Sequence, residues 1–426
     1  MRVELPYGSR TIQGEIRLSK LTQIIVPKEI DPLDNPNESI TMALGKSSAA
    51  RVSFSRRSEI GSAIIIAPRP EEFPAVVQAV KAVADSIAAT GIRAPDTVVL
   101  MADVSTKSFS NEDVVALFRE SLPAKTRVEF HRWEDESTTS YVGTTPSAGT
   151  PIHINSEYLQ ADLKIVVGNS LPDLVHSFTG VPYTIVPGIS SMSTVCKIRM
   201  HAMEDSPIFF NQRSSIAIDM VEASLLQMPD IAVDFVCDHK GNISSFAVGE
   251  FESVWEKTIA QSRMLMEVDC SIHADVTIVS MGGTPWDRTL YDALDGLFAA
   301  RKVTRDGGLI VLLAECVSGV GPESFEKLMR SCASAEGARS EAQKSFAIGM
   351  EKVPFYFDIH ATSEIVIVSE LPDHTIHGVC HASPLASLQT ALDYAERVHG
   401  IDATYAIIPY GKFTSPVNQS DGFGRQ

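Results

Sequence analysis

His176 is the first residue that could do chemistry. It lies in residues 161–189, ADLKIVVGNSLPDLVHSFTGVPYTIVPGI, where an apolar run meets a glycine turn and a second glycine loop leads into VPGI. Imidazole titrates near neutrality and is the natural general acid or base. The same ring can also pack beneath its turn and bond a carbonyl. Arg69, in APRP, offers a guanidinium that grips a carboxylate at two points, or a surface ion pair. Asp103 and Glu315 each end an apolar run, a position used both by catalytic carboxylates and by helix caps. His374, His377 and His381, in HTIHGVCH, would share one face of a helix with zinc-like spacing. Gly378 and Pro384 point instead to a turn with a structural role. Residues 319–322, GVGP, can present N–H groups to a phosphate at a helix start. Gly282 and Gly283 follow an apolar run, and paired glycines there allow close backbone approach.

These groups need a scaffold. In the second half of the chain, apolar runs at 276–281, 308–314, 364–369 and 405–408 read as strands. They alternate with helical spacing at 290–301, from 322 onward and at 384–398. Strands alternating with helices imply right-handed crossovers and a parallel, doubly wound sheet. The first half is also α/β. Strands are expected at 62–66, 97–101, 127–130, 163–167, 183–186 and 231–237, helices at 74–89 and 111–121, and an exposed loop at 134–150. The expected fold is therefore α/β with two domains, 1–271 and 272–426. Each carries a mostly parallel sheet flanked by helices, and the C-terminal one is doubly wound. Ligands in such folds sit beyond the carboxyl ends of strands. That selects residues 67–70, 102–108, 168–180, 282–287 and 315–321, with an interdomain cleft as the default site.

Charge narrows the partners. Lys and Arg number 36 and Asp and Glu 53, a formal charge of −17. That balance argues against nucleic acid or an anionic membrane as partner. A small anionic substrate is compatible with it, because a local Arg or Lys outweighs the global field. The six cysteines contain no CxxC pair and read as reduced thiols of a cytoplasmic protein. No apolar stretch approaches the ~18 to 20 residues that span a bilayer, and the N-terminus has no signal-peptide core. The expectation is a soluble, cytoplasmic protein acting on a small molecule.

Five motifs then point to a family. They are VELPYGSRTI at 3–12, LDNP at 33–36, ADLKIVVG followed by FTG and VPGI, GGTPWDRTLYDALDG at 282–296, and DGGLIVLLAE at 306–315. In this order and spacing the chain resembles the nickel-pincer lactate racemases from near its start to near its end. The resemblance implies a cleft holding a nickel ion on a pyridinium-derived pincer mononucleotide. It implies hydride abstraction from C2 of a 2-hydroxy acid and return to either face. Two histidines serve as acid and base, a lysine tethers the pincer, and a further histidine ligates nickel.

Carried over residue by residue, the family's catalytic histidines fall on Thr106 and Asp173. The tethering lysine falls on Tyr183, the nickel ligand near Arg199, and a substrate-binding lysine on Asp295. Tyr291 is kept, and Arg69 matches the substrate-binding arginine. Tyr cannot form the link a lysine amine makes, and Thr has no group that titrates near neutrality. Asp173 can act as a base if burial raises its pKa. His176 and His201, three and two residues past the replaced histidines, can return an imidazole to the site, His201 as a metal ligand. The reading is a divergent isomerase, a racemase or epimerase, acting on a small hydroxy acid or sugar acid. Asp173, His176 and Thr106 occupy the catalytic positions, and Arg69, Tyr291, Asp295, Gly282 and Gly283 the substrate positions. Tyr183 takes the cofactor anchor. The alternatives are an inactive small-molecule-binding or regulatory homologue without the nickel-pincer cofactor, and a metal enzyme built on His374, His377 and His381.

Overall fold

Parallel pairing of apolar strands organises both halves of the chain. The computed structural model describes residues 1–56, 58–70, 73–92, 96–102, 110–203 and 214–417. It is a two-domain α/β fold with mostly parallel sheets flanked by helices. The two compact units are Glu29–Met264, and Met1–Lys28 together with the chain from Leu265 onward.

In the Glu29–Met264 unit the sheet runs Ile243–Gly249, Ile231–Cys237, Leu163–Asn169, Ala63–Pro68, Thr97–Ala102, Arg127–Phe130. Only the Ile243–Gly249 edge strand is antiparallel. Ile64, Ile65 and Ile66 are all buried, as expected for a strand covered on both faces. The helix Ala75–Ala89 covers the sheet with small and β-branched residues, among them Val76, Ala79, Val80 and Val83. From Ala63–Pro68 the chain builds outward to Arg127–Phe130, then returns to place Leu163–Asn169 on the other side. Strand order therefore reverses between Ala63–Pro68 and Leu163–Asn169. In open α/β sheets that reversal leaves a crevice at the carboxyl ends.

The other unit has the order Ser383–Pro384, Ser363–Val368, Thr304–Leu313, Ala274–Ser280, Tyr405–Ile408, Leu21–Ile24, all parallel. It is doubly wound, and its order reverses between Ala274–Ser280 and Tyr405–Ile408. The expected boundary at 271 omits one feature. Leu21–Ile24 pairs with Tyr405–Ile408, and Val3, Leu5 and Tyr7 of the N-terminal hairpin share a core with Val311, Leu388 and Ile407. Alternating burial in Arg2–Tyr7 sends one face of the hairpin into that core. Residues 1–28 thus fold with the C-terminal half and not with the chain that follows them.

Two expected elements differ. Residues 183–186 do not form a strand: Val181–Ile185 is a short helix, with Pro182 in its first turn and Gly180 as its N-cap at φ 103°. Residues 134–150 are not only loop, because Thr139–Thr144 pairs with Pro151–Asn155 as an antiparallel hairpin. All six cysteines are free thiols, four of them buried. Among the described residues no helix is long and apolar enough to cross a membrane.

Leu5 is 2% exposed. Leu5→Ala should cost about 2–5 kcal/mol, as a central core truncation does, and the loss should fall on the unit containing the chain from Leu265 onward. Urea unfolding read by probes in each unit checks this. An unchanged midpoint for that unit would contradict it.

Candidate functional site

The carboxyl end of Leu163–Asn169 carries a tightly braced loop. Pro172–Asp173 pairs antiparallel with Ser177–Phe178. Thr179 closes its base: the hydroxyl donates to the Asn169 carbonyl at 2.6 Å and accepts from the Leu171 amide at 3.0 Å. Ser177 holds the turn in the left-handed region at φ 68°, an uncommon conformation for a residue with a side chain. At the tip, Asp173 Oδ1 accepts three donors. They are the Val175 amide at 3.0 Å, the His176 amide at 2.8 Å and His176 Nδ1–H at 2.8 Å. Because this oxygen is an acceptor to all three, Nδ1 carries the proton, and Nε2 is the basic nitrogen of the neutral ring. The Tyr183 ring meets the His176 ring edge-on at 4.8 Å. Of three residues singled out from sequence, His176 therefore touches both Asp173 and Tyr183. The side chain of His176 is 3% exposed and that of Asp173 18%.

A buried carboxylate that the sequence reading passed over supports the loop from below. Asp234 is fully buried in Ile231–Cys237. Its Oδ2 accepts from the Ser170 hydroxyl at 2.7 Å and the Thr258 hydroxyl at 2.8 Å. It also accepts from the Val181 amide at the start of the Val181–Ile185 helix. Burial pushes its pKa from the ordinary 3.8 to about 7, against the lowering effect of these donors. The fit requires glycines. A Cβ on Gly180 would lie 2.4 Å from Ser170 Oγ and 2.8 Å from Asp234 Oδ2, and one on Gly168 would lie 2.4 Å from the Val181 nitrogen. The sequence signal was available: IAVDFVC places a lone aspartate in an otherwise apolar strand.

Arg69 follows Ala63–Pro68, the neighbouring strand at the sheet reversal. Its guanidinium bonds the Asn111 side chain at 3.0 Å and lies over the Phe130 ring at 5.2 Å. Thr106 and Asp103 lie outside the described residues. His201 bonds Thr150 Oγ1 at 3.4 Å, and that hydroxyl donates to the fully buried Asp219 at 2.8 Å. Arg199 is buried in the same helix, Met192–Ala202.

In the other unit, Gly282 and Gly283 follow Ala274–Ser280. Gly283 has φ 79°, and a Cβ there would lie 2.5 Å from the Gly8 carbonyl. Its smallness therefore serves the N-terminal hairpin turn, and Asp287 holds the same turn by accepting from the Gly8 amide at 2.7 Å. Glu315 also packs at Gly8, where a Cβ would lie 1.9 Å from its Oε2. The Tyr291 hydroxyl donates to buried Glu351 at 2.6 Å, and the Gly349 amide donates to the same carboxylate at 2.7 Å. Asp295 is 3% exposed and is gripped by two lysines that sequence reasoning did not select. Lys352 Nζ lies 2.6 Å from Oδ1 and Lys412 Nζ 3.1 Å from Oδ2. These partners are 57 and 117 residues away, with no local pattern to announce them. Residues 319–322 offer carbonyls to the start of the helix Leu290–Arg301. The Leu290 amide donates to Gly319 and the Tyr291 amide to Val320.

The alternative zinc face of His374, His377 and His381 is not formed. His377 lies in Ile376–Cys380, and His381 ends that helix in the left-handed region at φ 52°. His381 Nε2 instead bonds the Met329 carbonyl at 3.2 Å. Among the described residues no three His, Cys, Asp or Glu side chains are arranged to hold a metal ion, His201 included. The residues at the positions that the resemblance gives to the pincer tether and the nickel ligand, Tyr183 and Arg199, do not suit the nickel-pincer group. The Tyr183 phenol, edge-on to His176, cannot make the link of a lysine amine. Arg199 is a permanent cation and ligates no metal.

The comparisons with known proteins agree with this fold. The lactate racemase N-terminal domain family matches residues 7–208, and the lactate racemase C-terminal domain family matches 269–413. A lactate racemase of Lactiplantibacillus plantarum is 24% identical over 441 residues, covering 96% of this chain and 98% of that protein. A lactate racemase of Thermoanaerobacterium thermosaccharolyticum is 25% identical over 312 residues, covering 70% of this chain and 72% of that protein. The structure of the apoprotein from that second organism superposes with a TM-score of 0.86 at 20% identity, covering 98% of this chain and 100% of that one. A Thermotoga maritima protein of known structure gives 0.69 at 14% identity, covering 92% and 100%.

Asp234 makes stability depend on pH. Its folded pKa is raised, so between pH 3.8 and about 7 the folded chain holds a proton that the unfolded chain has lost. Its contribution is complete below 3.8 and is lost as pH rises to about 7. Asp234→Asn removes this term, so its urea midpoint should change less than that of the unsubstituted protein across this window. Equal slopes would contradict the assignment.

Proposed function

The chain belongs to the lactate racemase-like family, and on that premise we propose that it is a racemase or epimerase acting at the hydroxyl-bearing carbon of a small 2-hydroxy acid. The observation that carries this reading is the Asp173–His176 pair at the carboxyl end of Leu163–Asn169. Two relatives bear the name lactate racemase, which supports a hydroxy acid as the substrate class. On this reading Thr106, Asp173, Tyr183, Arg199 and Asp295 stand where the resemblance implies the family's histidines and lysines.

The pair acts as one acid/base unit. Asp173 fixes the tautomer and stabilises the imidazolium that forms, as an orienting carboxylate does in other histidine dyads. Nε2 takes the substrate hydroxyl proton and returns it. Burial of the ring keeps bulk water from competing for that proton. Arg69 is the guanidinium nearest in the strand order, and it suits a carboxylate. Inversion also needs the hydrogen on C2 to leave as a hydride, which with loss of the hydroxyl proton gives the 2-oxo acid, and to return to either face; a bound organic hydride acceptor would have to take those two electrons and give them back. Neither an imidazole nor a carboxylate accepts a hydride, so Asp173 and His176 are assigned the hydroxyl proton alone.

Chiral chromatography of single enantiomers of lactate, glycerate and related acids, incubated with purified protein, tests the activity. Interconversion of at least one pair is expected. His176→Gln should lower kcat about 100-fold or more. Asp173→Asn should lower it by a similar factor, because Asn can face Nδ1 with its NH2 group and favour the opposite tautomer. His176→Gln turnover within twofold of the parent would overturn the role. No interconversion of any acid would overturn the activity.

A further inference from the structure

The amino ends of the strands in the unit containing the chain from Leu265 onward hold a cavity of about 670 Å³. Asp306, near the start of Thr304–Leu313, and Ser363, at the start of Ser363–Val368, both line it. The sheet edge makes the space. Ser383–Pro384 pairs only with Val366 and Ile367, so residues 363–365 run on past their edge partner. The chain before Ser383 does not prolong the pairing, because His381 turns into the left-handed region at φ 52°. Two imidazoles line the cavity, and each is tied at one nitrogen. His360 Nε2 lies 3.1 Å from the His381 carbonyl, and His381 Nε2 lies 3.2 Å from the Met329 carbonyl. A carbonyl only accepts, so each Nε2 carries the proton and each Nδ1 of the neutral ring presents a lone pair. Glu364 is also in the wall, with one oxygen accepting from the Tyr394 hydroxyl. Ser363 is 5% exposed, and its hydroxyl has no hydrogen-bond partner among the described residues. Buried Ile365 and Ala382 supply an apolar surface beside these groups.

We propose that this cavity is a binding site for a small organic amine in its cationic form, a ligand other than the hydroxy acid. Helix direction sets the sign. Beyond the carboxyl ends of parallel strands helices begin, and their N–H groups favour anions. At the amino ends helices finish, and their carbonyls favour cations. The helix Val353–His360 finishes in the cavity wall, where His360 is its last residue. A primary ammonium has three donors and no acceptor, which matches two imidazole lone pairs and the Glu364 carboxylate. An anion would face the same acceptors without a free cation to offset them. Arg301, the guanidinium on Asp306, is committed: its three nitrogens bond Thr362 Oγ1, the Thr304 carbonyl and Asp306. A metal ion lacks its ligand set, since among the described residues no three His, Cys, Asp or Glu side chains are arranged to hold one. A ligand in the cavity gives the Ser363 hydroxyl a partner, and a buried hydroxyl left without one is unfavourable. The volume is within the roughly 300–1,000 Å³ of small-molecule sites. The formal charge of −17 also favours the approach of a cation.

Equilibrium binding tests the site and needs no turnover. Calorimetry on the full chain compares 1,4-diaminobutane, 1,4-butanediol and succinate, which share a four-carbon chain and differ in charge. The diamine should bind at least about 10-fold tighter than the diol or succinate. Glu364→Gln, which removes the charge and keeps the size, should weaken the diamine about 10-fold. Nitrogen-15 NMR of the histidine-labelled chain locates the ligand. The Nδ1 signals of His360 and His381 should shift on adding the diamine, each assigned by its absence in the His360→Gln or His381→Asn spectrum. The comparison of the three ligands and the histidine shifts use the unsubstituted protein and stand even if Glu364→Gln fails to fold. Diol or succinate binding as tightly as the diamine, a folded Glu364→Gln variant binding the diamine as the parent does, or unmoved signals of both histidines would each overturn the site.

Discussion

A carboxylate with no access to water decides the geometry of the Glu29–Met264 unit. Burying Asp234 is unfavourable unless its oxygens are satisfied, and the chain satisfies them from three directions. Ser170 lies at the start of the braced loop, Val181 at the start of the short helix and Thr258 on Phe251–Met266. Each donor lies on a different segment, so the aspartate fixes their mutual positions. Gly168 and Gly180 exist in this arrangement because a methyl group at either would enter the same space. The loop that carries Asp173 and His176 and the helix that carries Tyr183 are both anchored on this one side chain. The imidazole is therefore held by a carboxylate on its nitrogen, a ring at its side and a fixed backbone beneath.

The second unit reaches a similar end by different means. There the reversal of strand order is covered by the N-terminal hairpin, whose Gly8 carbonyl needs the space a side chain on Gly283 would take. Asp287 and Glu315 add polar packing around the same turn. There the buried charged group is Asp295, gripped by Lys352 and Lys412. In the first unit Asp173, His176 and Arg69 follow the two strands that flank the reversal, and in the second Asp295 and Lys412 do. This is the position expected from the topology of open parallel sheets.

The α/β alternation was legible because the strands covered on both faces are continuous apolar runs, such as 163–167 and 308–314. The Val181–Ile185 helix was read as a strand because YTIV is β-branched and aromatic. The tertiary donor–acceptor contact to Asp234 and the Gly180–Pro182 start overrode that propensity. The place of residues 1–28 could not be read locally, since the pairing partner of Leu21–Ile24 lies at 405–408. At the site, His176 was legible from its apolar setting beside a glycine turn, and Asp173 and Tyr183 from the positions that the resemblance assigned. Lys352 and Lys412 were not, because a lysine in MEKVPF or YGKFT has no periodic or motif context. The histidine-rich segment 374–381 gave the opposite result. Its helical spacing was genuine, but the left-handed residue at His381 turned one ring to a carbonyl.

The central claim is that Asp173 holds His176 as the Nδ1–H tautomer, with Nε2 as the base. Nitrogen-15 NMR of the histidine-labelled full chain at neutral pH measures this directly, with His176 assigned by its absence in the His176→Gln spectrum. The account predicts a protonated Nδ1 and an unprotonated Nε2. A neutral ring carrying its proton on Nε2 would contradict it.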